Sequence, residues 1–121
     1  MKDTLNIVQF NCGNSNHKAS RPLFDGLDPA KHAVIAIQKP YYREALQNTY
    51  CSRNYILSYE ANPHTKACFL VSNQIDAGNW LRKQYGPLVA VLRLRGDGWE
   101  TTIINIYNSL IIFRNRGQIE T

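Results

Sequence analysis

Three stretches of the chain end a run of strand-forming residues in polar side chains: Gln9-Phe10-Asn11, Ala36-Ile37-Gln38-Lys39-Pro40 and Asn105-Ile106-Tyr107-Asn108. An ammonium at Lys39 is a point charge suited to holding a phosphate. Asn11 offers an amide to a site, and serves equally to cap a turn, which is a common use of Asn at a strand end. Tyr107 offers a hydroxyl, and tyrosine is also simply frequent in strands. Trp80 and Trp99, with Tyr41 and Tyr42, have faces on which bases stack, although aromatics beside a sheet more often pack on its rim and no aromatic-basic alternation accompanies them.

The bulk properties permit a polyanionic partner without demanding one. The 121 residues carry a net charge of +5, the balance expected of a chain that meets nucleic acid, but the bases are scattered and form no run. Cys12, Cys51 and Cys68 are odd in number and include no C-x-x-C pair, so neither a disulfide framework nor a zinc site is indicated and a reducing compartment is expected. His17, His32 and His64 stand apart from any such pair and read as surface residues. No apolar leader follows Met1, and no apolar run approaches the roughly twenty residues of a membrane span. The expected location is therefore intracellular, in nucleus or cytoplasm.

The elements that must position these residues follow from pattern. Residues 5–11 favour a strand that stops at Cys12-Gly13-Asn14-Ser15. Residues 16–27 favour a short helix, with Ser20 as N-cap and Leu23, Phe24 and Leu27 on one face. The continuous apolar run from Ala33 to Gln38 predicts a strand covered on both faces and ended by Pro40. One helical turn is expected over 43–47, a strand over 55–59, a turn at 61–64 and a returning strand over 66–71. A loop lies around Ala77-Gly78-Asn79, and 88–95 and 101–107 form a hairpin about Gly96-Asp97-Gly98. About six strands and one or two helices result.

The three polar strand ends, taken in order, resemble the endonuclease/exonuclease/phosphatase superfamily. They are most similar to the endonuclease domain of fungal non-LTR (LINE-type) retrotransposons, with its Q-x-N, I-Q-E-P and N-x-Y-N-P strand ends. Ala67-Cys68-Phe69-Leu70-Val71, Trp80 and Gln84-Tyr85-Gly86-Pro87 also fall in the family's order, so the resemblance covers residues 4 to 108. It implies an α/β (α+β) fold, half of a four-layered α/β sandwich, with one mixed sheet of about six strands and one or two helices. The implied division is a truncated domain over 1–108 and a divergent tail over 109–121.

In such enzymes magnesium held by carboxylates stabilises charge at a DNA phosphodiester while a His/Asp pair activates water. The family's supporting Asn maps to Asn11, its phosphate-contacting Tyr to Tyr107, and its metal-binding Glu to Lys39. Asn108 and Lys39 are the candidate phosphate contacts. An ammonium cannot ligate a metal and repels a dication at about 4 Å by several kcal/mol even at an effective dielectric near 20. Asp3, Glu44 and Glu60 are the acids that could substitute, and no spacing brings them to the site. The G-D-x-N, D-x-N and S-D-H motifs of the family's second half do not follow Tyr107, and Ser109 replaces its proline. The reading is a degenerate domain without cleavage or bound magnesium, in which drift at Lys39 outweighs a new phosphate-binding role. Its alternatives are an active nuclease or phosphodiesterase completed by a partner chain, and a DNA-binding module that does not cut. A lone half-sandwich would also leave a sheet face bare, with marginal stability or self-association as the expected result.

Overall fold

The computed structural model describes residues 6–13, 25–107 and 109–115. Eight strands carry the fold: β1 (Ile7–Asn11), β2 (Val34–Gln38), β3 (Tyr55–Ser58), β4 (Ala67–Ser72), β5 (Trp80–Gln84), β6 (Val89–Gly96), β7 (Trp99–Ile106) and β8 (Ser109–Asn115). They form two four-stranded sheets, ordered β1-β2-β4-β3 and β5-β6-β7-β8. A 3-10 turn, Ala77–Asn79, is capped by the Asp76 carboxylate accepting from the Gly78 N–H.

The α/β half-sandwich expected from the sequence, a single mixed sheet of about six strands dressed with helices, is therefore wrong. The turn from Asn73 to Asn79 breaks the chain between sheets, and two further strands, β5 and β8, complete the second one. The helical turn expected over 43–47 is instead a tight reversal closed by an antiparallel bridge between Arg43 and Asn48, with Gln47 at φ 53. The helix expected over 16–27 lies for the most part outside the described residues.

In the first sheet β1 pairs parallel to β2, and β4 lies antiparallel between β2 and β3. Every residue of β2 and of β4 is buried, as the unbroken apolar run of β2 predicts for a strand covered on both faces. Val34, Ala36, Ala67, Phe69 and Val71 meet Ala90, Leu92, Leu94 and Ile103 of the second sheet. On the opposite face, Ile35, Ile37, Cys68 and Leu70 are covered by Tyr55 and by partly buried side chains that include Phe10, Tyr50, Cys51 and Tyr59. Among the described residues, the cover on this face comes from side chains of β1 and β3 and of the loops beside them.

The second sheet is a meander of successive antiparallel neighbours. Its strands alternate: in β6 Ala90, Leu92 and Leu94 are buried, while the opposite face carries half-buried Val89 and Val91 and then exposed Arg93 and Arg95. The residues expected to form a tail include β8, paired along its length with β7. The face left open belongs to this second sheet, where Leu81 and Phe113 are exposed.

Candidate functional site

Parallel pairing aligns Asn11 with Gln38, which sets the C-terminal ends of β1 and β2 side by side. The end of β7 is drawn to the same place by side chains. Gln38 Nε2 donates to the carbonyls of Ile106 at 2.9 Å and Ser109 at 2.7 Å and to Asn105 Oδ1 at 3.2 Å. Asn105 Nδ2 returns across the core to the carbonyls of Ile37 at 3.0 Å and Cys68 at 2.9 Å. Both amides are almost fully buried, so burial enforces these bonds, and they lock the two sheets together at this end. Both residues lie within the sequence motifs, beside Lys39 and Tyr107, whose types draw the chemical reading. Asn105 shares the inward face of β7 with Thr101 and Ile103, and a lone amide on an apolar face is the signal that marks it.

Lys39 follows directly and sits at φ 54, the left-handed region that a side chain with Cβ enters only at a cost of about 1–2 kcal/mol. Its N–H donates to the Lys66 carbonyl at 2.9 Å, and its Nζ lies 5.1 Å from the centre of the Tyr107 ring. That separation is a cation-π contact, worth about 0.5–1 kcal/mol where exposed, and it holds the ammonium at the end of the sandwich. Lys66 in turn donates its N–H to the Pro87 carbonyl at 2.6 Å, and Tyr107 donates to Leu88 at 2.9 Å. The structure therefore brings together Asn11, Lys39 and Tyr107 as strand ends, and adds Lys66 and the turn between β5 and β6. Asn108 lies outside the described residues.

The donor set does not fit magnesium, which takes six oxygens in an octahedron. Asn11 Oδ1 already accepts from the Gly13 N–H at 2.9 Å, capping the turn that ends β1. Gln38 is committed to three acceptors, and the next side chain is a cation. Glu44 and Glu60 are exposed, and among the described residues no group of three or more His, Cys, Asp or Glu gathers around a point.

The other candidate chemistry is muted. Trp80 and Trp99 are half-buried and pack against the core between the sheets, as aromatics at a sheet rim do. The three cysteines, distant in sequence, converge on the outer face of the first sheet, all of them free thiols. Burial pushes the Cys12 thiol up to about 11 and raises Cys68 further; it also raises Cys51, against the opposing pull of the Arg43 guanidinium. Thiols held protonated in this way are poor nucleophiles. No described helix is long and apolar enough to cross a membrane.

Set against protein-family models, curated proteins and solved structures, the chain matches none of them.

Proposed function

We propose that this chain is a degenerate endonuclease/exonuclease/phosphatase-like domain of retrotransposon kind that binds nucleic-acid phosphates without cutting them. The observation that carries the reading is Lys39. Where the resembled enzymes place a metal-binding carboxylate, this chain puts an ammonium, in a left-handed backbone conformation and steadied by the Tyr107 ring. Strained backbone concentrates at sites of function. A fixed ammonium meets a phosphodiester through charge-assisted hydrogen bonds, and it repels the dication that cleavage would need. Lys66, whose carbonyl accepts from the Lys39 N–H, is a second basic residue on the adjoining chain, consistent with the net charge of +5.

Binding of this kind releases counterions, so affinity falls as salt rises, with a log–log slope close to the number of phosphates neutralised. The test pairs salt-dependent retention of DNA with a magnesium-dependent plasmid-nicking assay. Retention that weakens on raising salt, weakens further in Lys39→Ala and is accompanied by no nicking supports the proposal. Metal-dependent nicking that persists in Lys39→Ala overturns it. Lys39→Glu supplies one carboxylate with no partner ligands beside it, and is expected to abolish retention without creating nicking.

A further inference from the structure

Strand β8 closes the second sheet, and among the described residues no strand pairs with its outer edge. The main-chain groups left there follow from alternation. The Tyr107 N–H donates to the Leu88 carbonyl at 2.9 Å, so β7 turns the N–H and C=O groups of its odd-numbered residues to β6 and those of its even-numbered residues to β8. The even-numbered residues of β7 oppose Ser109, Ile111 and Phe113, which therefore face β7, and Leu110 and Ile112 direct their main-chain groups outward. Apolar side chains line this edge on both sides of the sheet. Ile112 lies opposite Ile103 on the inward face, yet Ile103 is fully buried and Ile112 is 39% exposed, so the described part of the first sheet stops short of it. On the outward face Ile111 and Phe113 are exposed. The other three sheet edges are blunted: β3 has four residues, β5 carries exposed Arg82 and Lys83, and β1 has five residues with Gln9 and Asn11 exposed. In contrast, β8 runs for seven residues in unbroken register with neither Pro nor Lys.

We infer that β8 pairs antiparallel with β8 of a second copy of this chain, about a two-fold axis at Ile112, and so joins two second sheets into one of eight strands. A second copy is the occupant because β8 complements itself in this arrangement. Ile112 falls opposite Ile112 of the other copy, and the outward main-chain groups of the two residues bond each other. Ile111 of each copy falls opposite Phe113 of the other, so every exposed apolar side chain of β8 gains an apolar cross-strand neighbour. Arg114 falls opposite Leu110, which sets no cation against a cation. The paired strip is about 23 Å long and one strand wide, well under the roughly 800 Å² per partner of a standard interface. The dimer is therefore weak and reversible, with a dissociation constant on the order of 10 μM.

The test is sedimentation velocity of the whole chain over a concentration series that spans about 1 to 200 μM. The sedimentation coefficient is expected to rise with concentration from that of a monomer toward that of a dimer. Ile112→Pro removes an outward N–H at a position where an edge strand admits proline, and Ile111→Lys sets a charge against Phe113 of the other copy. Each is expected to weaken association by about tenfold or more. Leu81→Lys, on the far edge strand, is expected to leave it unchanged. Ile111 is exposed, so its variant keeps the test open if the proline variant does not fold, and thermal melts check both. Ile112→Cys should add a disulfide-linked dimer on mild oxidation, because hydrogen-bonded antiparallel partners stand about 5.5 Å apart at Cα, within disulfide reach. A chain that stays monomeric throughout overturns the inference. So does association that survives both β8 variants and falls in Leu81→Lys, which would place the contact on the outward face of the second sheet. Dimers that the Ile112→Cys variant cannot link overturn the axis at Ile112.

Discussion

Gln38 and Asn105 face each other across the two sheets with the Gln38 amide nitrogen 3.2 Å from the Asn105 oxygen, although 67 positions separate them in the chain. Every other bond these amides make runs to a main-chain carbonyl at the same end of the molecule. The pair therefore fixes how the sheets are docked and where Lys39 and Tyr107 stand.

Asn105→Ala removes two donors to main-chain carbonyls and the acceptor that Gln38 uses, all out of reach of water. A loss of about 2–4 kcal/mol is expected, read as a lower midpoint in urea denaturation. Asn11→Ala provides the contrast. Its amide caps an exposed turn, so the loss should stay near 1 kcal/mol or below.

Charge and conformation can be separated at Lys39. Asn tolerates φ 54 and Val does not, so Lys39→Asn should keep close to native stability while Lys39→Val loses about 1–2 kcal/mol more. Both lack the ammonium, and both should lose DNA retention alike. Thermal melts and a retention assay on the two variants check this, and equal melting of Asn and Val would show that the left-handed backbone is not maintained.

Alkaline pH should unfold the protein through its thiols. Below pH 9 a cysteine is protonated in both folded and unfolded chains, and its contribution is complete. From pH 9 to about 11 the unfolded chain releases the proton that folded Cys12 keeps, so stability falls as pH rises, and Cys68 extends the decline upward. Tyr59, pushed by burial up to about 12, adds to it from pH 10. Denaturant midpoints between pH 7 and 10.5 should fall with a slope that Cys68→Ala makes shallower, despite an overall loss of about 1 kcal/mol from the cavity. In the folded protein Cys68 should resist thiol reagents near neutral pH and become reactive in guanidinium.

Gly96 pairs with Trp99 across the second hairpin, and a Cβ at Gly96 would overlap the Trp99 indole. Gly96→Ala should therefore displace the ring from the core it covers and cost about 1–3 kcal/mol, with a change in tryptophan emission as the local readout. Gly98, at φ 74 in the same turn, needs a left-handed residue there.

The strands with the strongest periodicity were legible in the sequence. β2 and β4 are buried on both faces and read as unbroken apolar runs, and the hairpin of β6 and β7 announced itself by Gly96-Asp97-Gly98. β5 hid because Trp-Leu-Arg-Lys-Gln at a sheet edge is mostly exposed, with Leu81 turned outward. β8 hid because an apolar cluster beside arginines resembles a tail until its partner β7 is known. Nor does periodicity tell which sheet a strand joins, and on that point the expected single sheet failed. At the site, Lys39 stood out by type, whereas its left-handed backbone and its seat on Tyr107 depend on packing that Gln38 and Asn105 impose from a distance.

The two sheets differ in how far apart in the chain their partners lie. Strands β5 to β8 each pair with the next in line, whereas β1 must find β2 across some twenty residues and β4 must enter between β2 and β3. Local pairing is quick and distant pairing slow, so the later part of the chain is the natural nucleus. Synthesis runs in the opposite order. The ribosome delivers β2 and β4 first, apolar on both sides, well before Leu92 and Ile103 arrive to cover them. That interval is when a nascent chain of this protein is most open to chaperones and most exposed to sticking to its neighbours.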